Sequence, residues 1–184
     1  MGETKYTRAA SELMRLLQVV SSENNRTAAE VNRQAERLEG VRRDRSAEDA
    51  ARFDQVMADS AVMFEQYAQG LQSTIPDFQE NIATVKEGSD IHIKSEIDLN
   101  TEEGRAELAA THREAKGLLE TFQDNLTKLG VLRSIVASLH QRDDDPHLKR
   151  ATALALAAID GIIAVHRDFE TFALGLQFTA DEKS

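Results

Sequence analysis

Between residues 50 and 85, core-type side chains recur at steps of three and four: Ala50, Phe53, Met57, Ser60, Phe64, Tyr67, Leu71, Ile75, Phe78, Ile82 and Val85. A spacing that averages close to 3.5 residues marks the buried seam of a helix packed on other helices. It excludes a strand, which would alternate every second residue. The same rhythm appears three more times. It runs through Tyr6, Ala10, Leu13, Leu17, Val20, Asn24, Thr27, Val31 and Leu38. It returns in Leu108, His112, Ala115, Leu119, Phe122, Leu126, Leu129, Leu132, Val136 and Leu139. The last stretch carries Leu148, Ala151, Ala155, Ile159, Ile162, Val165, His166, Phe169, Phe172 and Leu176.

The breakers between seams set the helix ends. Gly40 to Arg45 forms a basic turn, after which Ser46 and Asp49 have the spacing of a capping box. Asn100 or Thr101 caps the third helix. Asp145 before Pro146 starts the fourth, because proline suits the first helical position and carboxylates suit the positive end of the helix dipole. The predicted helices are therefore about 5–39, 46–87, 101–140 and 146–179. Residues 88–100 are expected to be an extended connector, since Ile91, Ile93, Ile97 and Leu99 alternate with polar groups. Pro76 falls inside the second seam without changing its phase, which predicts a kinked helix rather than two helices. Four long helices joined by short connections imply an all-α, single-domain, antiparallel up-down-up-down four-helix bundle over residues 1–184.

One stretch occurs twice. Residues 64–74 and 169–179 share seven of eleven residues at an offset of 105, including Phe64/Phe169, Ala68/Ala173 and Leu71/Leu176. These positions lie on the seams, so the repeat reads as a packing element. A duplicated αα-hairpin is one origin for it; shared helical composition is the other.

Charge narrows the partners. The chain carries a net charge of −10, distributed as +2 over residues 1–45 and −8 over 46–100. Such a surface repels phosphate backbones, so nucleic acid is not an expected partner. Cysteine is absent, which removes disulfides and thiolate chemistry. No apolar run is long enough to span a membrane, and the first residues lack a secretion-signal pattern. A cytoplasmic location is the expectation for the chain as given.

No reactive constellation emerges. No Glu-x-x-His pair of a di-metal bundle and no His pair at i, i+4 is present, and there is no phosphate loop or nucleophile elbow. His140, His147 and Asp143 to Asp145 gather around one turn, but a helix end and an acidic cap already account for them. No catalytic residue, cofactor or metal ligand is assigned. His112 and His166 read as packed seam residues.

The seam of the first helix is interrupted by seven polar residues, Ser21 to Thr27. A polar layer in a bundle either sets the helix register or lines a pocket. The candidate ligand-binding set is Ser21, Asn24, Asn25 and Thr27, facing Ser60 and Lys128 of the neighbouring helices.

Two functions fit these features. The first is a non-catalytic module for protein–protein interaction or self-association through helix faces, favoured by the contrast between a mildly basic first helix and an acidic second one. The second is a sensory module that takes a small molecule, because a four-helix bundle of this size with adjacent termini resembles, in architecture only, the ligand-binding domains of bacterial chemoreceptors and sensor kinases. A metal-binding or enzymatic bundle is a distant third.

Overall fold

A computed structural model describes the backbone of residues 5–95, 98 and 100–181; for residues 6, 89–95, 108, 111, 112, 114, 115 and 175–181 it describes backbone alone. The described chain is all helical, and its helices pack against one another. They are α1 (Lys5–Arg37), α2 (Ala47–Ser95), α3 (Glu102–Arg142) and α4 (Pro146–Asp181).

The capping chemistry is as the sequence suggests. α1 gives way to a turn in which Gly40 takes φ +73°, a left-handed conformation that costs glycine little. Ser46 Oγ accepts the backbone N–H of Asp49 at 3.1 Å and caps α2. Of the two candidates for α3, Thr101 is the cap: its Oγ1 accepts the N–H of Gly104 at 3.0 Å. Asp145 Oδ1 accepts the N–H groups of His147 and Leu148, both at 2.9 Å, at the start of α4.

One expectation fails. Residues 88–95, read as the start of an extended connector, continue α2 as helix to Ser95. Gly88 and Ser89 each cost a helix about 1 kcal/mol or less. An isolated extended segment has no sheet to satisfy its backbone, whereas extending α2 satisfies it within the helix. Ile97 and Leu99 lie outside the described residues. α2 also runs as one helix through Pro76.

By contact, the chain forms two compact units, and each draws a segment from all four helices. The first unit comprises Met1–Val19, Thr74–Leu126 and Ile163–Ser184; the second comprises Val20–Ser73 and Thr127–Ile162. Neither unit is one of the two hairpins that a simple duplication would produce.

The first unit buries Leu13, Leu16 and Leu17 of α1, Phe78 and Ile82 of α2, Leu118, Leu119 and Phe122 of α3, and His166 and Phe169 of α4. Its centre is aromatic: Phe122 stacks on Phe169 and meets Phe78 and His166 edge to face, and Phe78 and His166 tilt against each other. The second unit buries Val20, Val56, Phe64, Tyr67, Leu71, Leu129, Leu132, Val136, Leu148, Ile159 and Ile162. Small residues Ala151, Ala155 and Ala158 complete its α4 face. Predicted seam residues thus fill both cores. Phe64 with Ala68 and Phe169 with Ala173 are all buried, so the repeated stretch does supply core. The two copies contribute to different units, and the side chains of Leu176 and Thr179 lie outside the described set, as does that of His112.

Candidate functional site

The six sequence-selected residues all belong to the second unit. One of them, Thr27, lines the α1–α2 groove described below. Asn24, Thr27 and Ser60 are buried, Ser21 and Lys128 are half-buried, and Asn25 faces solvent. Asn25 leaves the set for a geometric reason: a helical neighbour of a seam residue is rotated by about 100° away from the core.

Asn24 has a partner that spacing along α1 does not reveal. Tyr67 of α2 donates its hydroxyl to Asn24 Oδ1 at 2.6 Å, and both side chains are almost fully buried. Burial pushes the Tyr67 phenol well above its ordinary pKa, and the neighbouring Glu23 carboxylate adds to the effect. Asn24 Nδ2 is also buried, with no hydrogen-bond partner among the described residues. Beside this pair, Glu23 lies over Gly70; a Cβ placed on Gly70 would sit 3.4 Å from Glu23 Oε2.

A second feature of the same unit is not announced by the sequence. An open groove of about 490 Å³ runs between α1 and α2, with Arg26, Thr27, Glu30, Arg33, Gln34 and Arg37 on one wall. Asp59, Val62, Met63 and Gln66 form the other. Its polar side chains are wired together. Arg37 donates to Asp59 Oδ2 at 2.6 Å and to Gln34 Oε1 at 2.8 Å. Gln34 donates to Glu30 Oε1 at 2.6 Å, and Glu30 pairs with Arg33 at 2.7 Å. Gln55 completes the chain by donating to Asp59 Oδ1 at 2.8 Å. Arg37 and Gln55 together hold the Asp59 carboxyl below its usual range. Each of the three wall arginines is paired with a carboxylate, Arg26 through Glu23. Such arginines have little positive potential left for phosphate. Periodicity along one helix marks Arg26, Arg33 and Arg37 only as a polar face; their acceptors come partly from α2.

The His140–His147 turn behaves as helix termini do. Thr152 Oγ1 donates to the Leu148 carbonyl at 2.8 Å and lies 2.9 Å from His140 Nδ1. Asp143 and Asp145 accept backbone N–H groups, and Asp144 pairs with Lys149. Among the described residues no three His, Asp or Glu side chains gather as a metal site. No helix is long and apolar enough to cross a membrane among the described residues.

Comparison of the chain with protein-family models, curated proteins and solved structures returned no match.

Proposed function

We propose that this protein is a non-catalytic helical-bundle module that works by self-association through helix faces of its second unit. The observation that carries this reading is the α1–α2 groove. Its charges are neutralised within the chain, while Val62 on its wall is 54% exposed beside Met63. Two adjacent apolar side chains among ion-paired groups suit a protein contact, with Met able to adapt its shape to the occupant. Val131 of the same unit is 57% exposed and gives a second apolar point. A second copy is the occupant we favour, because residues 1–45 carry +2 and residues 46–100 carry −8, so unlike segments of two copies attract.

The bundle itself is read as antiparallel and up-down-up-down. In the second unit, Asn24 meets Tyr67 and Arg37 meets Asp59, so α1 numbers rise as α2 numbers fall. Arg133 meets Asp160 and His140 meets Thr152, giving the same sense for α3 and α4.

The test is native mass spectrometry with light scattering over a range of concentrations. Self-association predicts a concentration-dependent dimer that Val62→Lys weakens. A protein that stays monomeric at every concentration overturns this reading. A monomer that retains a small molecule supports instead a ligand-binding sensory module, a reading that rests on the buried polar pair Asn24 and Thr27.

A further inference from the structure

The Asn24–Tyr67 pair is a poor way to fill a core. It buries a hydroxyl and an amide on seams that also carry the buried apolar Val20, Phe64 and Leu71, and it leaves Asn24 Nδ2 without a partner among the described residues. Apolar residues of similar size would satisfy the core without that penalty. A buried polar residue on a bundle seam is useful when it distinguishes one alignment of two helices from the others.

Heptad seams make such a distinction necessary, because sliding one helix by seven residues restores the same pattern of apolar contacts. In α1 the positions one heptad either side of Asn24 are Leu17 and Val31. Either shift places an aliphatic side chain against Tyr67 and strands its hydroxyl in the core. In α2 the positions one heptad either side of Gly70 are Met63 and Asp77. Either shift takes Glu23 from over the bare Cα of Gly70 and sets it against a bulky thioether or a like charge. The two contacts, one a hydrogen bond and one a steric fit, therefore reject the same wrong alignments independently.

We infer that Asn24–Tyr67, with Glu23 seated over Gly70, is the register lock of α1 on α2, a device for uniqueness of pairing rather than for stability. It is independent of what the surface of the module binds. The lock acts on alternatives that the rest of the seam does not reject.

The absence of cysteine makes the test clean. Nitroxide labels at Arg33→Cys on α1 and Gln72→Cys on α2, both exposed, report the axial alignment by double electron–electron resonance. With the pair intact, one narrow distance is expected. In the Asn24→Leu/Tyr67→Phe double variant, helicity and melting temperature are retained or increased, and a second distance appears. A slide of one heptad moves a label by about 10 Å along the helix. A double variant that keeps the single narrow distance overturns the inference. So does one that loses its helical signal, since the pair would then be a source of stability. Gly70→Leu, which fills the space under Glu23 and leaves the hydrogen bond, is the second probe. It too is expected to broaden the distance distribution, and an unchanged distribution removes the steric half of the lock.

Discussion

The rings of Phe122 and Phe169 lie 4.3 Å apart between centroids, with only 21° between their planes. They come from α3 and α4, and Phe122 also meets Phe78 and His166 edge to face. Each is a seam position, so sequence periodicity places both in a core; that they stack on each other is a property of the packed unit. Truncating either to Ala should cost about 3–5 kcal/mol in urea unfolding, as for other buried Phe residues. A double-mutant cycle with Leu at both positions should return a coupling of about 0.5–1.5 kcal/mol, the aromatic part of the contact.

Two glycines in α3 should respond in opposite directions. Gly104 sits under the Asp98 carbonyl, and a Cβ there would strike that backbone atom. Gly104→Ala should therefore destabilise, by about 1–3 kcal/mol, despite the better helix propensity of Ala. Gly130 is helical, and a Cβ at that position would meet nothing within 4 Å. Gly130→Ala should stabilise by about 0.5–1 kcal/mol. Thermal melts of the two variants check the pair.

At alkaline pH the Tyr67 phenol controls stability. Its folded pKa is raised by burial, so its contribution is complete below the ordinary tyrosine value of about 10 and is lost as pH rises beyond it. In a Tyr6→Phe background, tyrosinate absorbance should appear in step with loss of helical circular dichroism. A phenol that ionises near its ordinary value while the helices persist would contradict the burial.

At acid pH the surface ion pairs set a smaller effect of opposite sense. Hydrogen bonds from Arg37 and Gln55 lower the Asp59 carboxyl, and one from Arg133 lowers that of Asp160. Their contribution is present above the ordinary carboxylate range and is lost as pH falls through the lowered folded values. Between about pH 5 and about pH 2, the wild type should lose more stability than an Asp59→Asn/Asp160→Asn variant. Both pairs are solvent-exposed, so molar salt should bring the two curves together.

The capping side chains offer a direct check on the helix starts. Ser46→Ala and Asp145→Ala each remove an acceptor from the first turn of α2 and of α4. Each should cost about 0.5–2 kcal/mol, measured by urea unfolding.

What can be read from the chain depends on the distance between interacting residues. Ser46 with Asp49, and Asp145 with Leu148, are three residues apart, and their spacing alone announces the caps. Seam membership of Phe64, Phe122 and Ile159 is equally local, because periodicity is a property of one helix. The acceptor of Tyr67 is 43 residues away, and that of Arg37 is 22 away. Both depend on which helices meet and in what alignment, which seams of equal period leave open. Ser21 to Thr27 is legible as polar, but only helix rotation separates buried Asn24 from exposed Asn25. The expectation for Gly88 to Ser95 fails for the converse reason. A four-residue alternation is too short to outweigh the backbone satisfaction that an existing helix offers.

The division of every helix between two compact units bears on the order of folding. The α1 and α2 segments of the second unit are one contiguous stretch, Val20–Ser73, closed by a single short turn. The first unit must bring together three separate stretches, Met1–Val19, Thr74–Leu126 and Ile163–Ser184. Closing long loops is entropically slow, so local contacts form before distant ones. The hairpin around Asn24 and Tyr67 is thus placed to nucleate, and the Phe78–Phe122–Phe169 cluster to condense afterwards. No single cut in the chain releases either unit as one continuous piece, so neither can be expressed alone by simple truncation.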